Sequence, residues 1–344
     1  MSEFYTFNKL EKIFDIKQHK TSFLKAEAEN RIPKAERLPI GDTGRTQRGW
    51  RINDIPAIGE KYGWFKKPTE PMAIVVYSTK GGCLKSTTCL NISRISALHN
   101  IRTCVIGLDF QGDISNALGL SITDDTEEDL EEVDEKLNSI LGLNDLFNGN
   151  ATLDEIIQDT DIPTLKFIPE TSEIQALNDG LQITNRREYW LKENVIDELK
   201  TKFDLIIIDC PPSWSLLTTN ALNSLSEKDL LISPLETKIN HYRNSKHYLG
   251  YLKAFKKQMN LKFNECFIPT KYTGTRKLSN QIKRFYMNTI ENCSTVAIKE
   301  SVASEESVAS YLSLQEYAPN TQPAEEMKEL LIEINDRYIS KSVH

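Results

Sequence analysis

Several short stretches of this chain are apolar with no polar alternation. Met72-Ala73-Ile74-Val75-Val76-Tyr77 and Leu205-Ile206-Ile207-Ile208 are unbroken, and residues 103–108, 165–168 and 230–236 are nearly so. A strand covered on one face alternates, whereas a strand covered on both does not. These runs therefore predict buried strands of a parallel sheet. Between them, residues 87–99 and 188–202 space their apolar positions for helices. Strand–helix alternation predicts an α/β fold, a mostly parallel doubly wound sheet with helices on both faces. Ligands bind such sheets beyond the carboxyl ends of the strands.

The first 70 residues read differently. Phe4, Phe7, Leu10, Ile13 and Phe14 fall at helical spacing and make an apolar stripe, suited to a core or a dimer face. Residues 38–71 are rich in Gly and Pro and read as turns. The expected organisation is a small helical N-terminal region at 1–70 and an α/β domain at 71–344.

Candidate chemistry follows three of the strands. The run ending at Tyr77 leads into Ser78-Thr79-Lys80-Gly81-Gly82-Cys83-Leu84-Lys85-Ser86-Thr87-Thr88. A strand, a glycine-bearing loop and Lys-Ser at a helix start make an anion cradle, because backbone N–H groups converge there. Lys85 would reach the β- and γ-phosphates, and Ser86 would ligate Mg²⁺. On the loop alone, a tight strand-to-helix turn is the other reading. Asp109 follows the second strand in Gly107-Leu108-Asp109-Phe110-Gln111-Gly112-Asp113; it also reads as a turn or helix-capping aspartate. Asp209 ends the third run ahead of Cys210-Pro211-Pro212, as a Walker B acid that holds Mg²⁺ through water.

Together these segments resemble the ParA/MinD-type deviant Walker A ATPases, and within them the larger partition proteins with an N-terminal DNA-binding region. That family's loop runs Lys-Gly-Gly-Val-Gly-Lys-Thr/Ser-Thr. Lys80, Gly81, Gly82, Lys85, Ser86 and Thr87 match it, while Cys83 replaces a valine and Leu84 a glycine. Its Asp-x-Asp-Pro-Gln-Gly-Asn segment is matched by Asp109, Gln111 and Gly112. Gly107 stands in place of the first aspartate and Phe110 in place of the proline. Residues 268–273 resemble the strand and loop near the adenine, which adds Thr270 to the nucleotide set. The likeness runs over roughly residues 72–335.

The resemblance implies a P-loop NTPase sheet with ATP and Mg²⁺ as cofactors. It implies an ATP-binding set of Lys80, Gly81, Gly82, Cys83, Leu84, Lys85, Ser86, Thr87, Asp209 and Thr270, with Ser86 and Asp209 serving the metal. Lys80 and Lys85 would stabilise charge on the transferred phosphoryl group, and Asp109 would orient water. It further implies a nucleotide-sandwich homodimer in which Lys80 reaches the partner's phosphates. Nonspecific DNA binding and stimulation by a ParB-type centromere-binding partner are implied as well. Leu84 sits where backbone passes close to phosphate, so slow hydrolysis is expected.

Charge sharpens the DNA expectation. The net charge is −7, yet residues 1–70 carry +4 and the remainder −11, with nine acids between residues 124 and 135. That run is expected to be a solvated loop or helix. A basic front suits a protein that meets DNA with one part only. Arg45, Arg48 and Arg51 precede Asp54 in a pattern resembling the small helix-turn-helix module of the larger partition proteins; it also reads as a basic linker docked on the ATPase. Arg276, Lys277, Lys283 and Arg284 form a second candidate DNA-binding cluster.

Other function classes fit less well. Met327, Leu330, Leu331 and Ile334 take helical spacing near the C-terminus, but Glu325, Glu326, Glu329, Glu333 and Asp336 give that helix an acidic polar face. Anionic lipid repels such a face, so a MinD-like membrane role is disfavoured and no membrane partner is expected. Six single cysteines form no Cys-x-x-Cys pair and read as reduced core residues. No stretch reads as a signal peptide or a membrane span. The expectation is a cytoplasmic, nucleoid-associated partition ATPase, with a nucleotide-gated transcriptional repressor of little turnover as the alternative. Since all three nucleotide segments lie beyond residue 68, removing residues 1–68 is expected to leave the ATPase folded.

Overall fold

The computed structural model describes residues 4–39, 46–120 and 139–340. Arg45 and the acidic run at 124–135 lie outside the described residues. At the N-terminus, β1 (Phe4–Tyr5), β2 (Glu36–Pro39) and β3 (Thr46–Arg51) form an antiparallel sheet in the order β1-β3-β2. Helices α1 (Phe7–Phe14), α2 (Lys20–Ala28) and α3 (Ile55–Tyr62) accompany it. Thr6 caps α1 by accepting from the Lys9 N–H, and the expected stripe is present, with Leu10, Ile13 and Phe14 buried.

Where a basic approach to a helix was expected, residues 46–51 form a strand. Gly49 and Trp50 of this strand are buried, and the Trp50 indole N–H donates to the Pro33 carbonyl at 2.9 Å. Arg48 is held by the buried carboxylate of Glu27, and Arg51 by Glu36 at 3.0 Å. Residues 46–62 are thus a strand followed by the short helix α3, which starts just after Asp54.

The main sheet contains, among the described residues, β4 (Met72–Val76), β5 (Thr103–Gly107), β6 (Gln158–Asp159), β7 (Leu165–Ile168), β8 (Leu205–Asp209), β9 (Leu230–Glu236), β10 (Asn264–Tyr272) and β11 (Ile298–Lys299). Their order is β11-β10-β9-β4-β8-β5-β7-β6, parallel except for the edge strand β6. β4, β5, β8 and β9 are buried along their whole length, which is why their sequences do not alternate.

Successive residues serve two apolar clusters. Ile74, Val76, Val105 and Ile207 face one, together with helix α4 (Lys85–Leu98), the N-terminal region and the helix Gln322–Ile334. Ala73, Val75, Ile206 and Ile208 face the other, with helices Leu216–Asn223, Ile239–Gln258 and Lys277–Thr289. Met327, Leu330, Leu331 and Ile334 are buried in the first cluster, so the apolar face of the C-terminal helix belongs to the core.

The N-terminal region is part of that first cluster too. Phe14 packs edge-on against His99, and the Trp64 indole donates to the Ile13 carbonyl at 3.0 Å. Removing residues 1–68 would uncover the end of α4, contrary to what the position of the nucleotide segments suggests.

One buried ion pair binds four segments together. Arg94, in the middle of α4, donates to Glu316 at 2.7 and 2.9 Å and to Asp161 at 2.8 and 3.0 Å. The Tyr5 hydroxyl donates to Glu316 at 2.7 Å. Burial alone would raise the Glu316 pKa, but Arg94 and these donors hold it down to about 2. Breaking a buried pair by removing one partner strands the other charge. Arg94→Leu is therefore expected to cost roughly 3–5 kcal/mol in urea unfolding. A loss below about 1 kcal/mol, the range of an exposed pair, would remove the network from the stability account. The Glu316 contribution is present above the ordinary carboxylate range and is lost as pH falls toward 2.

Candidate nucleotide site

Three neighbouring strands end level. Val76 of β4 and Gly107 of β5 are both register partners of Asp209 on β8. The loops leaving β4 and β5 therefore start beside the Asp209 carboxylate. The structure thus brings together Lys85, Asp109 and Asp209, which the sequence separates by up to 124 positions.

The loop after β4 has the form a phosphate cradle requires. Lys80, Gly81 and Gly82 are exposed, and Gly82 takes a φ of +69°. A Cβ built on either glycine would meet nothing within 4 Å, so the loop stands clear of other protein atoms. Its far side is anchored: Cys83 is buried, its thiol donates to the Lys80 carbonyl at 3.1 Å, and its own carbonyl accepts from the Thr270 hydroxyl at 3.3 Å. Thr270 thus braces the loop from β10. The buried Lys85 ammonium also donates to the Lys80 carbonyl, at 3.3 Å. Ser86 and Thr87 begin α4, whose N-terminus faces the loop.

Leu84 is the strained residue. It caps α4 with φ +73° and ψ +31°, the left-handed region, where a side chain costs about 1–2 kcal/mol. The residue type is unusual at this position, but the backbone conformation is the one a glycine would take there.

Asp209 is fully buried, and neither carboxylate oxygen has a hydrogen-bond partner among the described residues. Burial pushes its pKa up to about 6, against the pull of nearby Lys85. Ser86 and Cys89 lie close enough to draw it back down, but neither forms a hydrogen bond of normal geometry with it. A buried acid beside Ser86 with free oxygens is the donor set a hard cation such as Mg²⁺ takes, directly or through water. Asp109 is buried as well; desolvation raises its pKa, while the Gln111 N–H, donating at 3.4 Å, and Lys85 lower it.

The candidate DNA residues fall elsewhere. Arg276 and Lys277 are exposed at the start of the Lys277–Thr289 helix, and Arg284 is exposed further along it. Lys283 is half-buried, with its ammonium 4.1 Å above the Tyr272 ring. The sequence reading missed the neighbouring Ile239–Gln258 helix, joined to it through Tyr242 and Phe285 at 5.0 Å. Its 20 residues include no acid. Arg243, Lys246, Lys253 and Lys257 are exposed on it, without an ion-pair partner among the described residues. An acid-free helix in an acidic chain was a legible signal. Glu170, buried beside Gly107, was also missed.

Comparison with known proteins agrees with this fold. The family described as "AAA domain" matches residues 72–265. Over 154 residues the chain is 30% identical to the chromosome-partitioning ATPase Soj of Treponema pallidum, covering 45% of this chain and 54% of that protein. The chain spans between 54% and 67% of the length of this and two further curated relatives. Among solved structures, a variant of McdA from Cyanothece in complex with ATP superposes with a TM-score of 0.63 at 18% identity, covering 80% of this chain and 99% of that one. A plasmid partition protein from Borrelia burgdorferi gives 0.57 at 19% identity, covering 77% and 98%. These two likenesses show the fold. The family match covers more than half of the chain and contains the cradle, Asp109 and Asp209; the protein belongs to the AAA domain family, as a ParA/MinD-type P-loop ATPase related to the partition proteins.

Proposed function

We propose that the protein is an ATP-hydrolysing DNA-partition ATPase, acting in the cytoplasm on nucleoid DNA. The observation that carries this reading is the level ending of β4, β5 and β8, which sets the cradle, Lys85, Asp109 and the unpartnered Asp209 carboxylate around one point. Phosphoryl transfer to water is chiefly a matter of positioning and charge. Lys85 and, across a dimer, Lys80 stabilise charge on the γ-phosphate, and Asp109 orients the attacking water. Ser86 and Asp209 would hold Mg²⁺, which neutralises the β- and γ-oxygens when bound.

A nucleotide-sandwich homodimer is supported by apolar side chains exposed at the same end of the sheet. Phe110 after β5, Leu278 after β10 and Val302 after β11 are 67%, 49% and 68% exposed. Closing two copies face to face would cover them. The DNA surface is the pair of helices Ile239–Gln258 and Lys277–Thr289; Arg48 and Arg51 already have internal partners, which weakens the case for an N-terminal reader. That reading in turn disfavours the repressor alternative. A ParB-type protein as the activating partner is the reading carried over from the related partition proteins.

Reversing Arg243, Lys246, Lys253 and Arg284 together is expected to abolish DNA-stimulated ATPase activity while leaving the basal rate unchanged. DNA affinity should fall and lose much of its salt dependence in filter binding at two salt concentrations. Unchanged affinity would move the DNA surface off these helices, and a parent protein with no turnover under any condition would favour the repressor.

Leu84→Gly relieves the left-handed strain but gives up some packing, since Leu84 touches the first cluster. The two effects are each about 1 kcal/mol, so melting temperature should change little. ATP affinity and turnover should rise, because a glycine holds the left-handed conformation without strain and lets the loop backbone adjust to the phosphates. A Gly variant slower than the parent would assign Leu84 a positive role in the site.

The buried acids set a pH dependence. Folding raises the pKa of Asp209 to about 6 and of Glu170 to about 8, so the folded state binds protons more tightly than the unfolded chain. Stability of the nucleotide-free protein should therefore decline as pH rises from about 4 to 8 and level off above that. Mg²⁺ with a nonhydrolysable ATP analogue should flatten the decline, since a cation favours the ionised acids. Calorimetric melting across this range, with and without the complex, measures it; parallel curves would detach these acids from the metal.

A further inference from the structure

β5 ends at Gly107, and the space beside that residue is filled from a neighbouring strand. A Cβ built on Gly107 would lie 1.9 Å from the carboxyl carbon of Glu170 and 2.3 Å from both its oxygens. Glu170 comes two residues after β7, which pairs with β5 on the side away from β8. Its side chain therefore lies against the end of β5, and the partner of Gly107 on the opposite side is Asp209. The segment this chain resembles has an aspartate at the position of Gly107. Here a carboxylate arrives at the same place from β7, and only a residue with no side chain at 107 leaves room for it.

The environment of Glu170 is built. Its Oε2 accepts from the Ser115 N–H at 3.1 Å and from the Ser115 hydroxyl, whose oxygen in turn accepts from the Glu170 N–H at 2.9 Å. Its Oε1 is buried with no partner among the described residues. Burial raises its pKa to about 8, and the nearby charge of Asp209 adds to the rise. Ser115 closes the short turn Asp113–Ser115 that follows the Asp109 loop. An acid buried here with one free oxygen is costly unless something else in the site uses it.

We propose that Glu170 is the second carboxylate of the magnesium-nucleotide centre, relocated from β5 to β7 across Gly107. It acts as a positioning residue: Oε2 fixes the turn that follows the Asp109 loop, and Glu170, ionised when Mg²⁺ is bound, would add a second charge beside Asp209. The inference rests on the nucleotide-site reading above.

The test is a magnesium titration of the full chain. Binding of the nonhydrolysable analogue AMPPNP is followed by calorimetry, and ATP turnover is followed in parallel. Glu170→Gln keeps the shape and an acceptor for Ser115 but removes the charge. It is expected to raise the half-saturating Mg²⁺ about tenfold, the usual effect of losing an outer partner of a metal site. Glu170→Ala should do the same. Gly107→Asp combined with Glu170→Ala should return the titration toward the parent, and Gly107→Asn with Glu170→Ala should not.

A parent-like titration for Glu170→Gln, or rescue by asparagine as good as by aspartate, overturns the proposal and leaves Glu170 as a structural anchor of the turn. Melting temperatures of all four variants show that each is folded. The binding arm decides the inference even if the parent binds nucleotide without hydrolysing it, a result that would count against the ATPase reading alone.

Discussion

The parallel register of β4, β8 and β5 is the constraint on which the rest of the structure depends. Because Val76, Asp209 and Gly107 stand level, the glycine-bearing loop, a buried acid and the loop that carries Asp109 begin at one place. Each strand is covered on both faces, so a slip of one residue would carry every side chain to the wrong cluster. The apolar packing that fixes the register thereby fixes the chemistry. The price is a set of acids held out of water, and their raised pKa values record it.

Helix α4 connects that chemistry to the rest of the molecule. Its first turn carries Lys85, Ser86 and Thr87, its middle carries Arg94, and its end packs against Phe14 and Trp64 through His99. Arg94 meets acids from two distant segments, and Tyr5 joins the same carboxylate. Movement of the α4 N-terminus on nucleotide binding would have to be absorbed by this network or passed through it. The N-terminal region and the C-terminal helix are thus mechanically close to the phosphate loop although they contribute nothing to it chemically.

The legible and the illegible parts of the sequence differ for physical reasons. Strands buried on both faces announce themselves as unbroken apolar runs, so Leu165–Ile168 and Leu230–Glu236 appear where the pattern puts them. The phosphate loop is legible because its residues are contiguous and each is needed in order. Glu170 was not, since its role depends on a side chain crossing to a strand distant in sequence. The one local trace was Gly107, a missing acid that could be noted but not placed. Arg48 misled for a related reason: a run of arginines looks the same whether it faces phosphates or a buried glutamate such as Glu27.

Net charge is a poor guide to partners when charge is segregated. This chain carries −7, yet the Ile239–Gln258 helix has Arg243, Lys246, Lys253, Lys256 and Lys257 and no acid at all. At physiological salt the field of an exposed charge fades over roughly 8 Å. An anion approaching that helix would therefore meet Arg243, Lys246, Lys253 and Lys257, which have no ion-pair partner among the described residues, while Lys256 is paired with Glu265; acids several Debye lengths away contribute little. Within the helix the cations repel one another, which destabilises it slightly, and phosphate relieves that repulsion. The same segregation makes orientation selective: a polyanion would be drawn to one face and pushed from others, which an evenly basic surface could not do.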